Sequence, residues 1–436
     1  MSQRRSRREF LQTTAATGIG FWVAGGVEAE EKKVVRSPNE KIQFACIGIG
    51  GKGSSDSADA GKHGDVVAIC DVDEARLNAA GEKRFAGAKK YTDFRKLLDE
   101  MGKKIDAVTV STPDHCHAAA SVMAMRLGKH CFCQKPLTHS IYEARVMGEV
   151  AREMKVATQM GNQGTANNGV RKAAATIQAG ALGKVQEVHV WTNRPIWPQG
   201  GERPKTEPVP KNLKWDLWLG PAPTRPYGKG YHPFAWRGWW DFGTGALGDM
   251  ACHTVNMPFM ALDLRNPISV IAQTSGHNKD SYPKWSIITF EFAATAKRPA
   301  VKLFWYDGGK RPSEEVMEGK KASGSGCMLI GDKGKLYSPN DYGAEYELMC
   351  GATQPDVKYE QSPGHFEEWV RAIQGGKRSR SNFADYAAPL TQTILLGNLA
   401  VWVSGTKVEW DAVNLKAKGM DLEHIIRPPF RKGYTL

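Results

Sequence analysis

The sequence predicts a two-domain α/β protein, with a doubly wound parallel sheet followed by an α+β domain built on an open, mostly antiparallel sheet. Three observations predict it. A glycine-rich turn follows the first apolar strand, strands alternate with helices up to about residue 160, and separate apolar segments of strand length recur between residues 185 and 337. The length of 436 residues also favours two domains over one.

The first element is an apolar strand that runs directly into a glycine motif. Lys41–Ile47 reads as the strand, and Gly48-Ile49-Gly50-Gly51-Lys52-Gly53 has the form G-x-G-x-x-G. Gly48 permits the tight turn, Gly50 lets the backbone approach a pyrophosphate, and Gly53 allows the following helix to pack closely. Free N–H groups at the start of that helix favour the phosphates of a dinucleotide.

The second strand ends in an acid at the spacing of a ribose ligand. Val66–Cys70 is apolar, and Asp71 follows 18 residues beyond Gly53. A carboxylate here accepts hydrogen bonds from the adenosine ribose and repels a 2′-phosphate, which favours NAD over NADP. The positive charges of Arg76 and Lys52 could weaken the preference for NAD over NADP. The alternative is a glycine turn followed by an unrelated acid.

The alternation of strands and helices continues along the chain. Residues 107–111 and 130–133 read as strands, and residues 94–101, 118–127 and 141–154 read as helices. Thr112, Pro113 and Lys135 then lie beyond the carboxyl ends of parallel strands, where such sheets bind ligands.

Four sequence pieces resemble those of the glucose-fructose oxidoreductase, inositol dehydrogenase and rhizopine-catabolism family (Gfo/Idh/MocA). They stand in the family's order, and the likeness covers roughly residues 41–436. The pieces are Gly48–Gly53, Ser111-Thr112-Pro113 with His117, Cys133–Leu137, and Gly248–His253. One departure is visible, because the family usually has Glu before Lys-Pro and this chain has Gln134, which removes a charge beside Lys135.

The resemblance implies a domain organisation and a set of cofactor contacts. An NAD(P)-binding Rossmann domain is expected over residues 41–162, after a linker at 30–40, and a substrate and oligomerisation domain over 163–436. The family's open sheet packs face to face, so a homodimer or homotetramer is expected. The implied cofactor contacts are Gly48, Ile49, Gly50, Gly53, Asp71, Ser111, Thr112, Pro113, His117, Gln134, Lys135 and Asn162.

The resemblance also implies the catalytic residues. His253 removes a proton from a substrate hydroxyl while hydride passes to the nicotinamide, Lys135 hydrogen-bonds the same oxygen, and Asp249 orients the substrate or tunes His253. Asp249 and His253 are four apart and share one face if helical. An ordinary histidine pKa of about 6.5 suits proton transfer at neutral pH. A chance surface pair is the alternative, and one His with one Asp predicts no metal site.

A long segment between residues 191 and 248 is rich in Trp, Pro and Gly and poor in periodicity. Its six Trp argue against disorder. It is either a carbohydrate-facing wall or a loop held by aromatic packing or an oligomer contact. The predicted substrate contacts are Gln163, Tyr231, His232, Trp236 and Arg237.

The first 29 residues resemble an export signal. Arg7-Arg8 is followed, after one residue, by Phe10-Leu11 and a weakly apolar run, as in twin-arginine signals that direct folded proteins through the twin-arginine translocase. The expected location is the periplasm, with a membrane tether if the signal stays uncleaved. Free nicotinamide cofactor is scarce there, so tightly bound NAD is expected. Eight Cys are present, and the apolar context of Cys46, Cys70, Cys131 and Cys133 favours buried free thiols.

Composition excludes several classes of protein. Hydrophobic residues make up 41% and charged residues 24%, which is unlike a disordered chain, a collagen or a polytopic membrane protein. The net charge of +13 is spread without a long basic run, so nucleic-acid binding is not predicted.

Three functions remain open at this stage. They are an NAD(P)-dependent oxidoreductase acting on a sugar, cyclitol or glycoside hydroxyl; a redox-neutral NAD-dependent glycosidase; and a non-catalytic sugar-binding protein. Tyr227 and Tyr231 are candidates for the elimination base that a glycosidase needs. Residues 427–436 are expected to form an arm at a subunit interface.

Overall fold

The computed structural model describes residues 41–436, and the predicted signal and linker lie outside them. The first sheet has six strands, all parallel, in the order β3-β2-β1-β4-β5-β6. This order confirms the predicted doubly wound sheet. The strands are β1 Ile42–Ile47, β2 Gly64–Cys70, β3 Lys89–Tyr91, β4 Ala107–Val110, β5 His130–Cys133 and β6 Thr158–Met160.

Five helices cover this sheet, and three of them begin at a side chain that caps the first turn. Asp73 and Asp93 accept hydrogen bonds from backbone N–H groups of the helices that follow them, and Ser140 forms a capping box with Glu143. The helices are α1 Lys52–His63, α2 Glu74–Lys83, α3 Phe94–Met101, α4 Asp114–Arg126 and α5 Ile141–Glu153.

The second sheet has nine strands and is mostly antiparallel, as predicted. Its order is β13-β12-β11-β7-β10-β9-β8-β14-β15, and only β7 and β10 pair in parallel. The central strands are β7 Val185–Trp191, β8 Ser269–Thr274, β9 Ser286–Phe292, β10 Val301–Tyr306, β11 Gly326–Gly331 and β12 Gly334–Ser338. The edge strands are β13 Glu347–Met349, β14 Val408–Asp411 and β15 Lys416–Ala417.

The helix at 388–402 packs on one face of the nine-stranded sheet, against β8 and β9, and also contacts α5. Alternate residues of β9 are buried on that face, and a Cβ at Gly397 would come within 2.7 Å of the Phe290 ring, so the helix at 388–402 lies directly on the sheet. The helices are α6 Asn168–Gln178, α7 Trp215–Leu219, α8 Gly245–Thr254, α9 Asn256–Leu262, α10 His365–Ile373, α11 Ala388–Trp402 and α12 Glu423–Ile426.

Helix α10 returns to the first sheet. Trp369 lies 5.8 Å from the ring of Phe44 and 5.7 Å from that of Phe132, both of which belong to strands of that sheet. Trp369 is fully buried and donates its indole N–H to the Ala157 carbonyl. The aromatic contact fixes the last third of the chain to the strands that carry the glycine motif.

Aromatic packing orders the segment between residues 191 and 248. Trp215 and Trp218 stack with ring centroids 4.7 Å apart, and Tyr231 lies within 6.0 Å of Trp215 and 5.3 Å of Trp239. Most of the Trp residues therefore build a small core. The packing alternative therefore describes this part of the segment, although Trp197, Trp218 and Trp236 also line the cleft described below.

Further features concern cysteines, membrane helices and the last ten residues. All eight cysteines are free, and only Cys350 among them is exposed. Among residues 41–436, no helix combines the length and apolarity needed to cross a membrane.

The 427–436 segment, expected as an arm between subunits, packs on its own chain through Arg431 and Tyr434.

Candidate active site

A cleft of about 510 Å³ opens beyond the carboxyl ends of β1, β2, β4 and β5. Residues of the 191–248 segment, helix α8 and the loop after β12 form its other walls. The predicted residues that line it are Gly48, Gly50, Asp71, Ser111, Thr112, Pro113, Gln134, Lys135, Gln163, His232, Trp236, Arg237, Asp249 and His253.

The glycine motif forms a cradle that leaves no room for a side chain at Gly48 or Gly53. Gly48 has φ +77°, and a Cβ on it would lie 2.7 Å from the Ser111 carbonyl group. A Cβ on Gly53 would lie 2.0 Å from the Gly48 carbonyl oxygen. Helix α1 thus begins in contact with the turn, and Gly50, Gly51 and Lys52 at its start line the cleft, where a phosphate site is expected. Ile49 is buried beneath the turn and does not line the cleft.

Asp71 stands at the end of β2, at the edge of the cleft. Its carboxylate accepts the N–H groups of Ile49 at 3.1 Å and Asp73 at 2.9 Å. Burial is the main influence on this carboxyl and raises its pKa. Arg76 lies against Gly50, and its Nε is 3.4 Å from Asp73 Oδ2, so a cation stands between the glycine turn and the residues that follow β2.

These residues fit a nicotinamide dinucleotide. The cradle admits backbone approach, Asp71 supplies a ribose acceptor, and the buried hydroxyl of Thr112 has no hydrogen-bond partner in the described part of the chain. A bound dinucleotide would satisfy that hydroxyl. Gly48, Gly50, Asp71 and Thr112 would hold the group, and it would supply a hydride acceptor.

Lys135, Asp249 and Arg237 form one ionic cluster at the far end of the cleft. Lys135 Nζ lies 2.9 Å from Asp249 Oδ1 and 2.6 Å from its backbone carbonyl oxygen, and Arg237 Nε donates to the same Oδ1 at 3.0 Å. Burial by itself raises the pKa of the Asp249 carboxyl, but the two cations outweigh it and lower the pKa to about 2. Asp249 is therefore an anion at neutral pH.

His253 lies one helical turn beyond Asp249 on α8, and its Nδ1 is buried without a hydrogen-bond partner among the described residues. Burial is the main influence on this imidazole and, with the nearby Lys135, lowers its pKa to about 3. The expectation of a pKa near 6.5 is wrong, because the ring is 6% exposed and faces an ammonium group. The structure thus holds His253 neutral, able to accept a proton or hydrogen bond.

A further buried carboxyl stands behind this cluster. Asp114 opens helix α4, is 3% exposed and accepts a hydrogen bond of 2.7 Å from Thr244 Oγ1. Burial raises its pKa to about 6, against the influence of Arg237 and Lys135. It is a second, weaker acid beside the ionic cluster.

Gln134 occupies the position at which the family usually has Glu, and its amide faces another carboxylate. Gln134 Nε2 donates to Asp56 Oδ2 at 2.8 Å, Ser111 Oγ donates to the same oxygen at 2.7 Å, and Lys52 Nζ lies 2.9 Å from Oδ1. Asp56 is 2% exposed. The network holds one carboxylate, which comes from α1 instead of the end of β5.

Several predicted contacts lie behind the cleft wall. Gly53 packs α1 on the turn. The two ring nitrogens of His117 each lie 2.8 Å from a backbone carbonyl oxygen, one of Pro136 and one of Thr112. Asn162 Oδ1 accepts a hydrogen bond from the Ser381 hydroxyl. Tyr231 is buried in the aromatic core and does not line the cleft, so the structure does not bring it to the substrate wall.

Sequence reasoning missed several cleft residues, and three of them come from distant loops. Asp341 and Tyr342, in the loop after β12, enter beside His253, and the Tyr342 ring centroid lies 5.1 Å from the imidazole. Asp341 Oδ1 is buried without a partner among the described residues. Tyr434 enters from the other end. Asn340-Asp341-Tyr342-Gly343 signals a turn, but no local pattern shows where that turn lies.

No metal centre is evident within residues 41–436, where no three His, Cys, Asp or Glu side chains come together as ligands.

Comparisons with known proteins match both halves of the chain. Residues 42–162 match the Gfo/Idh/MocA oxidoreductase family's NAD-binding Rossmann fold, and residues 166–436 match that family's C-terminal alpha/beta domain. Levoglucosan dehydrogenase of Pseudarthrobacter phenanthrenivorans is 25% identical over 181 residues, which are 42% of this chain and 38% of that protein. A glycosyl hydrolase family 109 protein of Solibacter usitatus is 30% identical over 151 residues, 32% of this chain and 34% of that protein.

A solved structure shares the fold over most of the chain. The WlbA dehydrogenase of Bordetella pertussis, in complex with NADH and UDP-GlcNAcA, matches with a TM-score of 0.59 at 16% identity, covering 85% of this chain and 99% of that one. The two family matches together cover the strands of both sheets and the parts of the chain that form the cleft. The chain belongs to the Gfo/Idh/MocA oxidoreductase family.

Proposed function

We propose that this protein is an NAD-dependent oxidoreductase that acts on a hydroxyl group of a sugar, cyclitol or glycoside. One observation carries the proposal. Lys135, Asp249 and His253 converge at the end of a cleft whose opposite end is the glycine cradle with Asp71. A reacting hydroxyl beside these three residues lies where a dinucleotide extended from the cradle places its nicotinamide.

His253, Lys135 and Asp249 each have a distinct role in the proposed reaction. His253, which lines the cleft and is held neutral, accepts the hydroxyl proton as the C–H hydride leaves. The Lys135 ammonium has three N–H groups and uses two on Asp249, so one remains to donate to the substrate oxygen and stabilise its negative charge. Asp249 fixes the direction of that ammonium.

The cleft wall favours a polyhydroxylated substrate. Asp341 offers a carboxylate oxygen that has no partner within residues 41–436, Gln163 offers an amide, and Arg237 offers further N–H donors. The Arg237 guanidinium lies over the Trp236 ring at 4.3 Å, and Trp197 lines the same wall. Indole faces beside hydrogen-bonding groups suit the C–H face and hydroxyls of a pyranose or cyclitol ring. The relative named levoglucosan dehydrogenase supports this substrate class.

NAD is the proposed cofactor in preference to NADP. A ribose 2′-phosphate would approach the Asp71 carboxylate, although Arg76 nearby would offset part of the repulsion. Asp71→Ser removes the repelling charge and keeps a hydroxyl that can bond a ribose. We expect it to lower the ratio of NADP to NAD dissociation constants by about tenfold or more, measured by isothermal titration.

The proposal includes export and assembly. The twin arginine at residues 7–8 supports passage through the twin-arginine translocase to the periplasm, with NAD loaded beforehand and held tightly. The outer face of the second sheet carries half-buried aromatic side chains, with His189 stacked on Phe304 at 4.6 Å. That face supports a homodimer or homotetramer, as the resemblance implied.

A redox-neutral glycosidase is the second candidate, and Tyr342 favours it. Tyr227 and Tyr231, the expected elimination bases, both lie in the aromatic core, whereas Tyr342 lies in the cleft beside His253 and accepts a hydrogen bond from Gln163 at 3.2 Å. The phenolate form of this side chain could take the proton from the carbon next to an oxidised one and become the phenol. The relative named as a glycosyl hydrolase family 109 protein supports this route.

One experiment separates these functions. The exported protein is purified without added cofactor and denatured, and the released dinucleotide is identified. It is then incubated with pyranoses, cyclitols and aryl glycosides, alongside His253→Gln. NADH formation that is lost in His253→Gln supports the oxidoreductase, and aglycone release without net NADH supports the glycosidase. A protein that binds sugar but neither binds NAD nor turns over any of these compounds is a non-catalytic binder, and the proposal fails.

A further inference from the structure

The 427–436 segment connects two walls of the cleft. Arg431 Nε donates to the carbonyl oxygen of Gly220 at 2.9 Å, and the Arg431 backbone N–H donates to the carbonyl oxygen of Pro221 at 2.9 Å. The Arg431 guanidinium also pairs with the Asp216 carboxylate. These partners belong to α7 and the turn after it, where Leu217 and Trp218 line the cleft. One end of the segment is therefore fixed to the Trp-rich wall.

The other end of the segment lies on the first sheet's side. Arg95 Nη1 donates to the Gly433 carbonyl oxygen at 3.0 Å, and the Arg95 guanidinium lies 4.4 Å from the Tyr434 ring centroid. Phe94 lies 6.3 Å from the same ring. Phe94 and Arg95 open helix α3, directly after β3. Tyr434 is 8% exposed, so its ring is packed in place.

The strand order identifies which end of the cleft Tyr434 lines. β2 and β3 are neighbours at one edge of the sheet, and β5, which leads to Lys135, lies on the opposite side of β1. Tyr434 lines the cleft together with Asp71, Val72, Thr92 and Asp93, all of which follow β2 or β3. In a doubly wound fold the acid after the second strand bonds the adenosine ribose, so this end receives adenosine.

We propose that Tyr434 forms one wall of the adenine-binding site, and that the 427–436 segment, anchored by Arg431 and Arg95, retains the bound dinucleotide. An aromatic ring beside the adenine supplies a flat apolar surface at low entropic cost, because its position is already fixed by packing. The segment also ties α7 to α3 across the adenosine end, so release of the cofactor requires these contacts to loosen. This inference rests on the proposed function insofar as the ligand is NAD.

The test compares binding of NAD and of its two halves. Wild type, Tyr434→Ala and Tyr434→Phe are stripped of cofactor and titrated with NAD, with ADP as an adenosine-end probe and with nicotinamide mononucleotide as a probe of the other end. We expect Tyr434→Ala to raise the dissociation constants of NAD and ADP about tenfold and to leave that of the mononucleotide within twofold. Tyr434→Phe keeps the ring and is expected to stay within twofold of wild type for all three.

Arg431→Gln separates anchoring from direct contact, because it leaves the Tyr434 ring in the chain. We expect NAD to leave this variant several times faster than wild type in a rapid desalting assay. Hydrogen exchange on the wild-type protein needs no substitution, and NAD is expected to slow exchange of the amides of residues 431–436. If Tyr434→Ala binds NAD as wild type does and NAD leaves this exchange unchanged, the inference is overturned. A wild-type protein that binds none of the three ligands would instead overturn the proposed function.

Discussion

Lys135 Nζ lies 2.9 Å from the carboxylate of Asp249 and 2.6 Å from the backbone carbonyl oxygen of the same residue. The lysine follows β5 of the first sheet, and the aspartate lies in helix α8, 114 residues further along the chain. This contact joins the two halves of the molecule at the reacting end of the cleft. It also keeps a cation near His253, which adds to burial, the main influence, in lowering the pKa of that imidazole.

The charge of Asp249 is the first target for a test. Asp249→Asn keeps an oxygen acceptor but leaves Lys135 and Arg237 facing each other without an anion between them. We expect kcat to fall about 100-fold, because the ammonium is no longer held in one direction, with the NAD dissociation constant within about twofold. The free energy of unfolding should fall by about 1–3 kcal/mol.

The matched control for this substitution is Asp59→Asn, which removes a carboxylate from an exposed pair with Lys62 on α1. It should change the free energy of unfolding by less than about 0.5 kcal/mol. Steady-state kinetics and urea unfolding measure both effects. Equal kcat values in Asp249→Asn and wild type would remove Asp249 from the catalytic cluster.

The acid limit of the reaction tests the state of His253. A base must be unprotonated to act, and activity is lost as pH falls through its pKa, which burial and Lys135 lower to about 3. We expect kcat/KM for oxidation to show no decline centred near pH 6.5 and to hold down to about pH 5. Initial rates after a rapid pH jump check this, and Lys135→Met should raise the His253 pKa in an NMR titration.

Global stability sets a separate limit at low pH. Burial lowers the pKa of His117 and of His365 to about 4. The unfolded chain takes up these protons near pH 6.5, so their contribution to stability is full above that pH and is lost as pH falls towards 4. A decline of kcat/KM near pH 6.5 in rapid-jump data, with the fold intact by circular dichroism, would contradict the assignment of His253.

The cofactor end of the site was predictable from sequence because its chemistry is local. Gly48 and Gly53 adjoin a strand, and Asp71 ends the next strand, so neighbouring residues alone determine their geometry. Asp341 and Tyr434 belong to loops that reach the cleft from distant parts of the chain. Tyr231 was wrongly predicted to contact substrate, because an aromatic residue in an irregular segment can equally well belong to a hydrophobic core or to the wall of a binding site.

The glycine cradle yields a prediction with an internal control on the same helix. Gly53→Ala places a Cβ 2.0 Å from the Gly48 carbonyl oxygen, so we expect α1 to shift, NAD binding to be lost and the free energy of unfolding to fall by about 3 kcal/mol or more. Gly61→Ala, also on α1, places its Cβ 3.7 Å from Phe85 and should stabilise the protein by about 0.5–1 kcal/mol. Thermal and urea unfolding compare the two, and equal effects would contradict the close contact.

The network around Gln134 predicts a compensating pair of substitutions. Gln134→Glu restores the usual residue of the family but sets a carboxylate 2.8 Å from the buried oxygen of Asp56, where the amide now donates a hydrogen bond. Two carboxylates cannot both stay ionised there, so we expect the single substitution to destabilise the fold by about 2 kcal/mol or more.

Asp56→Asn supplies an amide that can donate to the new carboxylate, so the double variant should recover most of the loss caused by Gln134→Glu. A double-mutant cycle by urea unfolding should give a coupling energy of about 1–3 kcal/mol in favour of the double variant. The reason is that the double variant again pairs one carboxylate with one amide across the same contact, as Asp56 and Gln134 do now. Additive effects of the two substitutions would show that Gln134 and Asp56 do not exchange that charge.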